Sequence, residues 1–222
     1  MNLKILNAMK FSILLFLAIA IHNFSYADGL TGTRTIPGDY SSLSAAIIDL
    51  NTQGVGSGGV VISLLAGNPE TAPAGGYSIT TLSGSSSNPI VIQGNGNIIT
   101  AFTPQVTGAM NDAIFKIIGG DYITIQGFSM QGNAANTITT AASNNMTEFG
   151  VALFYATVTD GAKNITIQNN TISLSRLYQN CFGIYSNVRH SATAISTAAD
   201  ITNVSGANDN THIYSNNISN VN

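Results

Sequence analysis

The most chemically suggestive residues of this 222-residue chain are an arginine and a histidine that follow a strand-like phrase. Arg189 and His190 come shortly after the phrase at 182–186, and they open a polar segment that ends at 210. A histidine beside a basic residue can act as an acid or base, or bind a sugar acid. No partner carboxylate is identifiable in the sequence, so the pattern favours a solvated loop.

Tyr178 is the third residue of interest, and it lies with Arg176 in the turn before the same phrase. Its ring can stack on a sugar, or it can pack at a corner of the fold. The candidate ligand-binding residues are therefore Tyr178, Arg189 and His190. The sequence predicts no catalytic residue, no metal ligand and no cofactor.

The acidic residues are scattered along the chain: Asp112, Asp121, Glu148, Asp160, Asp200 and Asp209. Calcium requires six to eight oxygen ligands, usually with several carboxylates that converge. Glycoside hydrolysis requires two carboxyl groups about 5–10 Å apart. The sequence points to neither arrangement, although an acid pair built across neighbouring parts of the fold stays open.

Cys181 is the only cysteine, so no intramolecular disulfide can form. A lone thiol can pair between chains or act as a nucleophile. Because free cysteine is among the most buried residue types, we expect Cys181 to be a small core residue.

A repeated phrase predicts the elements that position these residues. The phrases at 122–130, 164–173 and 211–219 share an Ile-Thr-Ile pattern, and Ile125, Ile167 and Ile213 lie 42 and 46 residues apart. Strand side chains alternate between faces, so each phrase presents its isoleucines on one face. A single coil cannot bury that face, whereas stacked coils form parallel sheets around a continuous core.

Asparagines follow the repeated strands and predict the corners of the stack. The pairs 169–170 and 216–217 are expected at the same place in successive coils. Asparagine tolerates left-handed backbone, and stacked asparagine side chains can bond to one another. We therefore interpret these residues as structural.

Further elements are predicted before the repeated phrases and between them. A helix at 41–50 places Leu43, Ala46, Ile47 and Leu50 on one face, with Asp39 or Ser41 as its N-cap and Gly54 as its stop. It belongs to a cap at 28–59 that covers the open end of the stack. Strands are expected at 60–65, 77–82, 89–94, 112–117, 149–154 and 182–186, whereas the loop at 67–76 is expected to contain no strand.

The N-terminus has the pattern of a secretory signal. Lys4 and Lys10 precede an apolar run at 11–21, and Ser25 and Ala27 place small residues where a signal peptidase cleaves. Spanning a bilayer requires about 20 apolar residues, so the run predicts export and no transmembrane span. Cleavage after Ala27 leaves five basic and ten acidic residues, a balance that argues against nucleic acid as a partner.

The chain from Thr35 to Asn222 resembles right-handed parallel β-helix proteins of the pectin-lyase-like fold. The phrases at 36–47, 50–55, 88–93 and 119–125 resemble large secreted or surface proteins of Bacteroidetes-type bacteria. The resemblance implies an all-β solenoid with a short capping helix, coils over 60–222 and a secreted or cell-surface location. We also expect the chain to be the N-terminal part of a longer protein.

Enzymes of this fold provide one functional hypothesis. Pectate-lyase-like members use clustered carboxylates for Ca²⁺, and polygalacturonase-like members use neighbouring aspartates with histidine and Arg-x-Lys motifs. None of these strings is present.

A carbohydrate-binding or adhesion module is therefore the predicted function, with an extracellular polysaccharide or cell-surface glycan as partner. The insertions at 132–146 and 189–210 are its expected binding surfaces. A polysaccharide lyase or glycoside hydrolase, and a structural stalk without a site, remain alternatives.

Overall fold

The structure is a computed structural model that describes residues 28–81, 84–105, 112–140, 145–186 and 203–222. Its largest sheet, sheet A, contains six strands in the order β1 (Leu30–Ile36), β2 (Val55–Leu64), β5 (Ile90–Gln93), β8 (Ile123–Gln126), β11 (Thr166–Gln168) and β14 (His212–Tyr214). Every pairing in this sheet is parallel.

Two further parallel sheets complete the fold. Sheet B contains β3 (Glu70–Thr71), β6 (Ile98–Thr100), β9 (Ser129–Gln131), β12 (Thr171–Ser173) and β15 (Asn217–Ser219). Sheet C contains β4 (Tyr77–Ile79), β7 (Ala113–Ile118), β10 (Phe149–Phe154) and β13 (Phe182–Ser186). From β2 to β15 the chain visits sheets A, B and C in a constant order, so successive turns stack as in a solenoid.

The described chain is thus mainly β with parallel sheets, as predicted. In the shared register, Ile92, Ile125, Ile167 and Ile213 form one column of sheet A. The first three are fully buried, whereas Thr124 and Thr166 lie half-buried on the other face. The isoleucine face of the repeated phrase forms the core, which confirms the predicted alternation.

Sheet C differs because its two central strands, β7 and β10, are buried on both faces. Phe115 and Val151 face the main core, while Phe149 and Phe154 belong to a second cluster on the opposite face. The ring of Tyr185 lies 4.5 Å from that of Phe149 between centroids. Parallel strands are commonly buried on both faces, and their sequences are then continuously apolar.

The repeated phrase forms two strands rather than one. Asn169 adopts a left-handed backbone with φ of 55° and separates β11 from β12, and Ser215 does the same between β14 and β15. Each full turn therefore has three strands, one more than the two phrases that the sequence indicated. The predicted strandless loop at 67–76 is also wrong, since β3 pairs there with β6.

The corner after sheet A is built by asparagine side chains, as predicted. Asn170 Nδ2 donates to Asn216 Oδ1 at 3.0 Å, and the two residues occupy equivalent positions in successive turns. The predicted pairing of 169–170 with 216–217 is shifted by one residue, because Asn169 aligns with Ser215 in the observed register.

The N-terminal helix, α1 (Leu43–Gln53), buries the four predicted residues Leu43, Ala46, Ile47 and Leu50. Its N-cap is Ser42, whose side chain accepts from the Ala45 N–H at 3.1 Å. The predicted caps Asp39 and Ser41 are wrong; Asp39 instead accepts from the Thr35 N–H at 2.7 Å. Gly54 ends the helix as predicted, with φ of 73°.

The predicted cap at 28–59 also contains β1 and the beginning of β2. The predicted signal segment at 1–27 lies outside the described residues. Within the described ranges, no helix is long and apolar enough to cross a membrane.

Candidate functional site

Of the three predicted ligand-binding residues, the structure describes only Tyr178. Its side chain is fully buried, so it packs at a corner and cannot stack on a sugar from solvent. Burial and the nearby negative charge of Glu148 raise the pKa of the Tyr178 phenol. Arg189 and His190 lie outside the described residues, and their roles stay predictions.

The structure does bring two acids together across neighbouring turns. Asp112 and Glu148 precede the paired strands β7 and β10, and Cys181 precedes β13 at the same level. The Asp112 N–H donates to Glu148 Oε2 at 2.9 Å, and the Phe182 N–H donates to the Glu148 carbonyl at 2.6 Å.

All three side chains of this column are inside the protein, with exposures of 1% for Asp112 and 0% for Glu148 and Cys181. A glycosidase needs its carboxyl groups to flank a substrate, and these two carboxyl groups line neither the cleft at the ends of β9 and β12 nor the cleft between α1 and β4. Because one Glu148 oxygen already binds a backbone N–H, we interpret the column as structural.

Cys181 is a buried core residue, as predicted, and burial raises the pKa of its thiol. A thiol with a raised pKa is a poor nucleophile at neutral pH. Among the residues that the structure describes, no three histidine, cysteine or acidic side chains converge as metal ligands.

A cleft of about 220 Å³ is the candidate functional site. It opens where two neighbouring strands of sheet B end, since the lining residues Gly132 and Leu174 directly follow β9 and β12. Its lining residues come from the insertion at 132–146 and from two adjacent turns: Gly132, Asn133, Ala134, Asn136, Met146, Thr147, Leu174 and Ser175. The cleft thus lies on a predicted binding insertion.

Asn133 fixes the start of this insertion. Its Oδ1 accepts from the Ala135 N–H at 3.0 Å, and its backbone carbonyl accepts from the Asn136 N–H at 2.9 Å. These bonds form a local turn of the kind that asparagine favours. Asn133 Nδ2 donates to the Ala101 carbonyl at 3.0 Å, which ties the turn to the preceding coil.

Asn136 is the least satisfied polar residue of the cleft. It is only 5% exposed, and its Nδ2 donates to the Phe102 carbonyl at 2.9 Å. Its Oδ1 is buried and has no hydrogen-bond partner. A buried acceptor without a partner costs about 1–3 kcal/mol, so this atom favours any ligand that supplies a donor.

Thr147 provides a hydroxyl among the lining residues of the same cleft. It is 3% exposed, and its Oγ1 accepts from Gln105 Nε2 at 3.0 Å. Since a hydroxyl both accepts and donates, that bond leaves its proton available to a ligand. Ser175 adds a second hydroxyl at a half-buried position.

None of the eight lining residues is ionisable, and three carry apolar side chains: Ala134, Met146 and Leu174. The cleft combines a few hydrogen-bonding groups with apolar walls, as small-molecule sites commonly do. It is therefore suited chemically to a neutral polar ligand.

A second cleft of about 280 Å³ lies between α1 and β4, and it offers a useful contrast. Its half-buried amide is satisfied on both sides: Asn51 Nδ2 donates to the Ser78 carbonyl at 2.8 Å, and Asn51 Oδ1 accepts from the Thr80 N–H at 2.9 Å. These bonds join the helix to the sheet, so we interpret this cleft as a packing seam.

Sequence inspection indicated the 132–146 segment but missed Asn136, Thr147 and Ser175 as individual residues. The available signal was the Gly-Asn start of a polar stretch directly after a strand. The spatial partners Gln105 and Ser175 lie in other turns of the chain.

The chain matches no protein-family model, and neither a curated protein nor a solved structure shows significant similarity to it.

Proposed function

We propose that this chain is an exported, right-handed parallel β-helix of the pectin-lyase-like kind that binds neutral glycans as a secreted or cell-surface adhesion module. The observation that carries the proposal is the uncharged cleft of amide, hydroxyl and apolar side chains on the 132–146 insertion. Insertions on one flank of a solenoid are a common place for binding surfaces.

The cleft suits a sugar because a pyranose ring presents hydroxyl groups at its rim and C–H groups on its faces. Thr147 and Asn136 can bond the hydroxyl groups, while Met146 and Leu174 can contact the C–H groups. No lining residue carries a positive charge that would pair with a uronate. A volume of about 220 Å³ matches one or two sugar units better than a long chain.

Binding is favoured over hydrolysis or elimination because none of the described residues that line the cleft is acidic. Asp112 and Glu148 bond backbone groups in the interior and do not line the cleft. A substrate held in the cleft would meet hydroxyl and amide groups, which are adequate for recognition.

The proposal is tested by titrating the purified chain with neutral and uronate-containing oligosaccharides, using calorimetry or ligand-observed NMR. We expect saturable binding of neutral sugars and weaker binding of uronates. Replacing Thr147 by Val and Ser175 by Ala should weaken binding, whereas Ser44→Ala in the second cleft should not. Absence of binding to every neutral sugar, or release of products from acidic polysaccharides with or without Ca²⁺, would contradict the proposal.

A further inference from the structure

We infer that the cleft recognises an acetamido group, so that its ligands are glycans that contain N-acetylated amino sugars. This inference rests on the proposed glycan-binding function and specifies its ligand. It depends on the match between the unused hydrogen-bonding groups of the cleft and the two polar groups of a secondary amide.

The first of these groups is an acceptor. Asn136 Oδ1 is buried and unpartnered, while the Nδ2 of the same side chain is held by the Phe102 carbonyl at 2.9 Å. That bond fixes the orientation of the amide, because exchanging its two ends would place two acceptors together. The cleft therefore requires a donor at this point, and an acetamido N–H is such a donor.

The second group is a donor. Thr147 Oγ1 already accepts from Gln105 Nε2 at 3.0 Å, so its remaining hydrogen-bonding capacity includes the hydroxyl proton. A secondary amide offers a carbonyl that can accept this proton. One free acceptor and one free donor among the lining residues thus match the N–H and C=O of an acetamido group.

The third part of an acetamido group is its methyl group, and the apolar lining residues can accommodate it. Met146 and Leu174 are 6% and 8% exposed, and both line the cleft. An acetyl methyl group can pack against them in addition to the C–H groups of the ring, so an acetylated sugar buries more apolar surface than an unacetylated one. A free amino sugar would bring a positive charge to a cleft without a carboxylate.

A carboxylate is disfavoured by the same groups. An ionised uronate carries acceptors only, so it cannot satisfy Asn136 Oδ1 and would lie beside another acceptor. The chain also has a formal net charge of −3, which does not attract anions. The inferred preference is therefore acetylated over neutral unacetylated sugars, with uronates bound least tightly.

The test compares matched probes on the same purified chain: N,N′-diacetylchitobiose, cellobiose, the deacetylated chitosan disaccharide and a capped N-acetyl dipeptide amide. Calorimetry or NMR titration should show binding of the diacetylated sugar about tenfold tighter than cellobiose. Equal affinities for these two sugars would overturn the acetamido inference and leave the proposed function standing. Tighter binding of the dipeptide would overturn the assignment to a glycan.

Two variants locate the effect. Asn136→Leu should reduce affinity for diacetylchitobiose about tenfold and that for cellobiose by a smaller factor, so that the preference for the acetylated sugar falls. Asn51→Leu in the second cleft is the matched control and should leave both affinities unchanged. Thr147→Val provides an independent arm should Asn136→Leu fail to fold. An unchanged preference for the acetylated sugar in both cleft variants would contradict the inference.

Discussion

Two buried asparagines show how the stacked corners of this protein differ from the flank that carries the cleft. Asn170 is 2% exposed at a corner after sheet A, and Asn136 is 5% exposed in the cleft wall. Asn170 Oδ1 accepts from the Phe128 N–H at 3.0 Å, and its Nδ2 donates to Ile125 and Asn216. Asn136 uses only its Nδ2 and leaves its buried Oδ1 without a partner.

This difference shows that residue type and burial alone do not distinguish a structural asparagine side chain from one that binds a ligand. The corner asparagine repeats along the stack, so each turn satisfies the amide of its neighbour. The cleft asparagine has no equivalent in the next turn, and its buried Oδ1 has no hydrogen-bond partner within the described protein. Residues that repeat build the scaffold, and polar groups that break the repeat are the better candidates for function.

The largest effect is expected in the isoleucine column of sheet A. Ile167→Ala removes a fully buried side chain and leaves a cavity, so the free energy of unfolding should fall by about 2–5 kcal/mol. Thr166→Ala, on the half-buried outer face, should cost less than about 1 kcal/mol. Denaturant unfolding checks both values, and equal losses would show that the isoleucine face is not the core.

A smaller loss is expected at the corner. Asn170→Leu removes three hydrogen bonds and leaves the Phe128 N–H without its acceptor, which should cost about 2–4 kcal/mol. Thr171→Ala at the adjacent exposed position is the control. If the corner variant unfolds at the same denaturant concentration as the control, the stacked amides do not stabilise the protein.

Cys181 lies in the buried column with Asp112 and Glu148. Its substitution should lower the free energy of unfolding less than Asn170→Leu does. Cys181→Ser places a hydroxyl in a core position, and we expect a loss of about 1–2 kcal/mol. Since burial raises the pKa of the thiol, alkylation of the folded protein should be slow at pH 8 and fast after unfolding. Rapid alkylation of the folded chain would place Cys181 at the surface, in conflict with the structure.

The sequence was sufficient to predict the parallel stack because its signal is periodic. The isoleucine alternation, the corner asparagines and the four buried residues of α1 all follow from local patterns. The division of each phrase into two strands was missed because it depends on a single left-handed residue, Asn169 or Ser215. The N-cap was misplaced because three candidates, Asp39, Ser41 and Ser42, lie within four residues of one another.

The candidate site was predictable only as a segment. Tyr178 appeared in the sequence as a possible sugar platform, but packing against neighbouring turns buries it completely. Thr147 is linked to Gln105, which lies in an earlier turn, and no local pattern reports that contact. The unused acceptor of Asn136 is a property of its surroundings, so it could not be found from residue types.

The smallest change in stability is expected at Asn136. Asn136→Leu removes one hydrogen bond but also removes an unpaired buried acceptor, so the free energy of unfolding should change by less than about 1 kcal/mol. Calorimetric unfolding without ligand checks this value. A loss as large as that of Asn170→Leu would make the cleft amide structural.

The most direct test measures unfolding and diacetylchitobiose binding for Asn136→Leu and Asn170→Leu side by side, below the unfolding temperature of both. We predict that Asn136→Leu loses about tenfold in affinity with little change in stability, and that Asn170→Leu loses stability while its folded fraction binds normally. The opposite pattern, or an unchanged affinity in Asn136→Leu, would contradict the assignment of function to the cleft.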